Sequence, residues 1–380
     1  MGVPTKNLPD SGSMVQPGRL KRLLRHLIDI YSPSGKEEEL LDFLYNYLKR
    51  RDLPVIRQDV DDSRYNLLVV PPKVPSIDLA LVGHLDTVVA YDFEQYGFDM
   101  EEDEIRGLGA ADMKGGCAAM VEAYLCAWER YAPHLPVALA LIVGEEEEGD
   151  GAQQLVKEYR FPWIIIGEPT DLAPCLSHYG YLEIQFLTRG KRAHASLAHR
   201  GQSPVESMLK LLLAFTDYME RKRNDIIYNI RDLYSYPAGF VVPDRCEVWI
   251  DTHVPTEAPV GDIIIDLEEL VEQERAKHGL LDMTIQFTTV HGGYEIPDRG
   301  AMIDSLKEAF EKNLLSWNPG IFRSHSDANI FWEAGIKPVI LGPGTIDKAH
   351  VPEESVSFEQ VCRAAGIYTD CLIALASASA

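Results

Sequence analysis

The sequence predicts an α/β protein: a central sheet with helices on both faces, plus an inserted α+β two-layer domain. Three observations predict it. Continuous apolar runs, among them Leu79–Val82, Val137–Val143 and Trp163–Ile166, suit strands buried on both faces, and they alternate with helical patterns. Near Ser177 the rhythm changes to strict alternation, with Leu182, Ile184 and Phe186 set against Glu183 and Gln185. After Gly293 the first rhythm resumes, so the α/β domain is expected in two pieces, 19–178 and 291–380, around an insert at 179–290.

The elements follow in order. Residues 1–18 are polar and rich in proline, and are expected to form a flexible tail. Leu20, Leu23, Leu24, Leu27 and Ile28 recur at helical spacing, and Pro33 stops that helix. Ser34 with Glu37 reads as a capping box for a second helix carrying Leu40, Leu41, Leu44 and Leu48. Strands are expected at Leu67–Val70 and Leu79–Val82, a small-residue helix at about 116–131, and strands at Val137–Val143 and Trp163–Ile166. The insert reads β-α-β-α-β: strands near 181–188, 247–252 and 283–290, helices near 204–223 and 262–277. A helix at about 301–315, a strand at Pro338–Leu341 and a last helix from Phe358 complete the chain.

With 380 residues, 46% hydrophobic and 25% charged, the chain can build a large core. Its 59 acidic and 36 basic residues leave a net charge of -23, which repels phosphate backbones and argues against a nucleic-acid partner. No apolar run approaches a membrane span, and residues 1–18 lack the pattern of a secretory leader, so no membrane partner is expected. Six scattered cysteines without a CxxC pair fit reduced thiols in a cytoplasmic protein.

Five segments sit beside expected strand ends, where open α/β sheets place their ligands. They are Gly83-His84-Leu85-Asp86-Thr87, the glycine-rich stretch Gly107–Gly116 around Asp112, Gly144-Glu145-Glu146-Glu147-Glu148-Gly149, Gly167-Glu168-Pro169-Thr170, and the loop Ala349–Glu354 with His350. Taken singly, each has an ordinary reading as a turn, a solvated acidic loop or a surface histidine. Gly107–Gly116 nearly matches a dinucleotide loop, but Asp112 stands where the third glycine belongs and would repel a pyrophosphate. Four glutamates at a strand end repel one another unless a cation neutralises them. Together His84, Asp112, Glu147, Glu168 and His350 offer imidazole and carboxylate donors suited to zinc, with cobalt or manganese as substitutes. Five ligands suit two metals when one carboxylate bridges.

In this order the five segments resemble the dinuclear zinc aminoacylase/carboxypeptidase family, which includes acetylornithine deacetylase, succinyl-diaminopimelate desuccinylase and glutamate carboxypeptidase. The resemblance covers the chain from about residue 19. It implies a mixed sheet of the zinc-exopeptidase type and two zinc ions per subunit, one on His84, Asp112 and Glu168, the other on Asp112, Glu147 and His350. Aligned on Gly149, it implies Glu146 as general base, with Asp86 as the acid behind His84 and a cis peptide after Asp112. The activity implied is amide hydrolysis by a metal-bridging hydroxide. Gly190-Lys191-Arg192-Ala193-His194 resembles the motif whose histidine reaches across a dimer interface to the oxyanion, which implies a homodimer and makes the insert its dimerisation domain.

Two positions depart from the family. An asparagine and an arginine that help hold substrate there are Phe240 and His253 here, so the planar carboxylate clamp is missing. His253, Arg323 or Arg192 could compensate. Within the activity the resemblance implies, the leading substrate class is an N-acyl amino acid; the alternatives are a di- or tripeptide, a carboxypeptidase substrate, a carrier-linked lysine or ornithine, or no substrate at all in a metal-binding homologue without catalysis.

Overall fold

The apolar runs form strands that lie side by side. In a computed structural model describing residues 14–92, 96–237, 239–278 and 282–378, Leu79–His84 pairs in parallel with both Val137–Ile142 and Trp163–Ile166, and Lys337–Ile340 pairs in parallel with Trp163–Ile166. Their side chains are buried nearly throughout, as central strands covered on both faces must be. Antiparallel neighbours extend the sheet. Tyr65–Val69 lies between Val137–Ile142 and the edge strand Val55–Asp59, and Cys175 pairs with Ile340 on the other side. The sheet is therefore mixed, with helices on both faces. Pro17–Asp29, Gly115–Tyr131 and Phe358–Ala378 pack against one another, while Glu38–Lys49 and Asp150–Glu158 pack on the strands at 55–69.

The chain divides into two units. The first is Met1–Leu176, Ile296–Gly320 and Ile330–Ala380; the second is Ser177–Glu295 with Ile321–Asn329. The insert thus takes in a short return segment at 321–329 that the alternation at 181–290 does not announce. In the second unit four antiparallel strands run in the order Ile227–Tyr236, Arg245–Val254, Gly180–Arg189, Met283–His291. Helices Pro204–Lys222 and Val260–His278 pack against this sheet over a core that includes Phe186, Phe215, Val248 and Ile250. Ser203 caps the first helix by accepting from the Glu206 N–H, with Pro204 at its first position.

Several sequence expectations need correction. The flexible tail falls on residues 1–18, of which 1–13 lie outside the described residues, but Val15 is buried, the Gln16 N–H donates to Glu122 at 2.7 Å, and a helix already begins at Pro17. Ser34 is not a helix cap; Glu37 occupies that position without a side-chain cap, and the Ser34 hydroxyl donates to Asp86 at 2.7 Å. The strand Ile227–Tyr236 has no counterpart among the elements the sequence pattern predicts. It is exposed on both faces and shifts register between Ile230 and Asp232, so it carries no period-two signature. Also unannounced were the helix Asp150–Glu158 and the hairpin Asp99–Arg106. The helix expected to reach Leu315 ends at Lys312.

Candidate metal centre

Strand direction aims the first group inward. His84 is the last residue of Leu79–His84, and its Nδ1 lies 3.0 Å from the Asp86 carbonyl. A proton donated there leaves Nε2 turned toward the other loops, 3.2 Å from Asp112 Oδ1 and 3.6 Å from Glu168 Oε1. Asp112 stands in the turn Ala110–Lys114 at the head of helix Gly115–Tyr131, and the Asp112–Met113 peptide is cis. Its second oxygen, Oδ2, faces His350 Nε2 at 3.5 Å, and that imidazole nitrogen lies 3.0 Å from Glu146 Oε2. Two triads result, His84–Asp112–Glu168 and Asp112–Glu146–His350, each with its ligand atoms within 4.8 Å of one another. All five residues belong to the first unit.

Close backbone packing holds these loops together. A Cβ on Gly116 would stand 2.1 Å from the Gly167 carbonyl oxygen, and one on Gly342 would stand 2.2 Å from it. Only glycine lets the Asp112 turn, the Glu168 loop and the loop after Lys337–Ile340 approach this nearly. Asp86, fully buried, accepts from the Ser34 hydroxyl and from the backbone N–H groups of Glu145 at 3.2 Å and Glu146 at 3.0 Å. It therefore fixes both His84 and the start of the glutamate loop.

That anchoring overturns the register expected for the four glutamates. Counting back from Gly149, the resemblance implies Glu147 as the ligand and Glu146 as the base. Here Glu146 is the residue against Asp112 and His350, while Glu145 Oε2 lies 3.9 Å from His84 Nε2. Glu147 is exposed and lines a separate hollow with Arg64, Glu148 and Asp150. The loop closes on itself: the Gly149 N–H bonds back to the Gly144 carbonyl at 2.7 Å, with Glu145 and Glu146 half-buried and Glu147 and Glu148 exposed. Counting forward from the strand end at Gly144 is the signal that finds Glu146, the glutamate that stands with Asp112 and His350.

The charges demand a cation. His84 is 2% exposed; burial opposes its protonation, yet the carboxylates of Glu168, Asp112 and Asp86 raise its pKa well above the ordinary value. Burial and the neighbouring Asp112 charge push Glu168 well up, and its Oε1 has no hydrogen-bond partner. His350 is raised to about 9, chiefly by its bond to Glu146. Buried acids this close, one with an unmet oxygen, match a site built for positive ions. Imidazole nitrogen plus carboxylate oxygen, three donors for each of two ions with one carboxylate shared, is a donor set that fits zinc or cobalt.

The sequence pattern of peptidase family M20/M25/M40 matches residues 80–374. The chain belongs to that family. It is a metal-dependent hydrolase of peptide or amide bonds. Among relatives of this M20 chain is a protein of Emericella nidulans named probable carboxypeptidase, 27% identical over 92% of this chain and 88% of its own length. Two solved structures share the M20 fold: a tripeptidase of Staphylococcus aureus (TM-score 0.78, 22% identity, 96% of this chain and 100% of that one) and human carnosine dipeptidase 1 (TM-score 0.74, 14% identity, 95% and 97%).

Three further residues singled out in this M20 chain, His194, His253 and Arg323, lie in the second unit. His194 is exposed at the end of the short strand Ala193–His194, with Nδ1 2.8 Å from Ser196 Oγ. His253 sits on Arg245–Val254 with its ring 5.6 Å from that of Tyr181, and its Nδ1 is sealed from solvent without a hydrogen-bond partner. Arg323 and Phe240 are exposed. Beyond the resemblance, three residues matter that the motifs did not assign: Ser34, Glu145 and Glu354. Glu354 is 3% exposed and bonded to the turn that carries Asp112.

Proposed function

We propose that this chain is a two-zinc exopeptidase-type hydrolase that releases an amino acid from a short peptide. The observation that carries this is the pair of triads sharing Asp112. His84, Asp112 and Glu168 would hold one ion, and Asp112, Glu146 and His350 the other, with cobalt or manganese able to substitute. Bound there, the pair supplies Lewis acidity, polarising the scissile carbonyl and lowering the pKa of a water toward neutrality. Glu145 takes the proton of the attacking water as its oxygen bonds to the carbonyl carbon, and returns it to the amine as the C–N bond breaks. Asp86 holds the loop that aims Glu145, through the two backbone N–H groups it accepts.

The names of the relatives and of the structural neighbours favour a peptide over an N-acyl amino acid of the acetylornithine or succinyl-diaminopimelate kind. The deacylase reading remains the one to test against, together with a carrier-linked lysine or ornithine. His194 is assigned to the oxyanion of a second copy in a homodimer. Support for that copy comes from the strand Ile227–Tyr236, which pairs on one side only among the described residues and exposes Ile227, Leu233, Tyr234 and Tyr236. A cytoplasmic setting is supported by six free cysteines, and no helix among the described residues is long and apolar enough to cross a membrane.

The test is a panel of tripeptides, dipeptides and N-acetyl or N-succinyl amino acids on zinc- and cobalt-loaded protein. Chelator is expected to abolish turnover and added cobalt to restore it. Glu145→Gln is expected to keep bound metal while losing turnover by about 10²–10⁴. Parent-like turnover in that variant would remove Glu145 from the chemistry, and chelator-resistant activity would remove the ions.

A further inference from the structure

Glu354 lies four residues beyond His350, in the same loop. Its carboxylate is buried, and all three hydrogen bonds that the carboxylate accepts come from the segment that carries Asp112. Oε2 accepts from the Gly109 N–H at 2.9 Å, and Oε1 accepts from the N–H groups of Ala111 at 2.9 Å and Asp112 at 3.0 Å. The Glu354 carbonyl accepts a fourth, from Gly107, at 3.2 Å. Four backbone donors of one six-residue stretch thus converge on one residue. The helix that follows, Gly115–Tyr131, cannot satisfy these donors, because its carbonyls point toward its C-terminus and away from the preceding segment.

We propose that Glu354 is the positioning residue that presents Asp112 to both ions and ties its turn to the His350 loop. The inference rests on the two-metal reading above and deepens it. Only a carboxylate supplies two oxygens that each accept without donating. A glutamine keeps the shape but turns an N–H₂ toward backbone N–H groups, leaving at least one buried donor unmet. An aspartate keeps the charge but draws it back by one methylene. Glu353, the next residue along, is exposed and serves as the control.

The experiment uses the full-length protein and cobalt as the probe. Four measurements are compared for the parent, Glu354→Gln, Glu354→Asp and Glu353→Gln. They are calorimetric cobalt affinity, the visible cobalt absorption band, amide hydrogen exchange of the 107–114 segment in metal-free protein, and kcat with KM on the best substrate of the panel. Glu354→Gln is expected to weaken cobalt binding and lower kcat by about 10–100-fold each. KM should stay within about threefold, the absorption band should shift, and exchange at 107–114 should rise at least tenfold. Glu354→Asp should recover part of the loss, and Glu353→Gln should match the parent. Parent-like cobalt affinity and exchange in Glu354→Gln would overturn the proposal, as would an equal loss in Glu353→Gln. Should Glu354→Gln not fold, Glu354→Asp decides alone: unchanged affinity and exchange there overturn it too. A parent that binds no cobalt sinks the two-metal reading and this inference with it, whereas a binding parent with an indifferent variant sinks only this inference.

Discussion

Two buried histidines, one in each unit, lose their water and respond in opposite directions. His84 is 2% exposed in the first unit and His178 fully buried in the second. His84 faces Asp86, Asp112 and Glu168, and its pKa rises well above the ordinary range despite the desolvation that opposes it. His178 is lowered to about 4, first by burial, and its bond to the Tyr179 carbonyl does not reverse that. Its neutral ring sits between that carbonyl at 2.5 Å and the Ser326 hydroxyl at 2.9 Å. Burial is common to both, so burial is not what distinguishes them; the charge of the partners is. The first environment is built to hold positive charge, the second to exclude it.

The sharpest way to break that contrast is to shift the acid that completes the cage. Glu146→Gln removes one donor of the second triad, and one of two cobalt equivalents is expected to be lost. Turnover should fall by about a thousandfold, given the several kcal/mol a bound ion contributes. Glu147→Gln should change both by less than about twofold, because that side chain is exposed. Equal effects of the two substitutions would mean that the loop register described here is wrong.

The neutral environment is tested by acid. The folded pKa of His178 lies below the ordinary 6.5, so the unfolded chain takes up its proton first as the pH falls. Its stabilising contribution is complete above pH 6.5 and is lost progressively toward pH 4, on the order of 3 kcal/mol in all. Denaturant unfolding of metal-free protein across that range should show the loss, and His178→Gln should flatten it. A variant as acid-sensitive as the parent would assign the effect to other groups. The smallest effect is expected from Ser34→Ala, which deprives Asp86 of one hydrogen bond worth about 1 kcal/mol. A three- to tenfold drop in kcat with bound cobalt unchanged is the expected reading; a loss of metal instead would mean that Ser34 supports the ligands directly.

Much of the site was legible because its residues sit at strand ends. Leu79–Val82, Val137–Val143 and Trp163–Ile166 announce buried strands by their continuous apolar character, and His84, the glutamate run and Glu168 follow directly. What was not legible depends on bonds between segments far apart in sequence. Ser34 reads as a helix cap by local spacing, yet its hydroxyl bonds to Asp86, 52 residues away. Glu354 looks like one more acid in an acidic loop until the N–H groups 242 to 245 positions earlier are seen to meet it. The strand Ile227–Tyr236 escaped notice because an edge exposed on both faces has no period to read.

The order of apolar runs and strand-end motifs determined by itself that this chain builds an α/β sheet interrupted by an inserted segment of different rhythm and sets acids and imidazoles beside strand ends. That much is local: periodicity follows burial, and chemistry-bearing residue types follow strands. Which glutamate turns inward, which serine serves an aspartate and which carboxylate gathers the backbone around Asp112 were decided only by the tertiary structure. Each depends on where a loop closes in space, and a one-residue shift in closure costs almost nothing in sequence pattern while reversing the direction of a side chain.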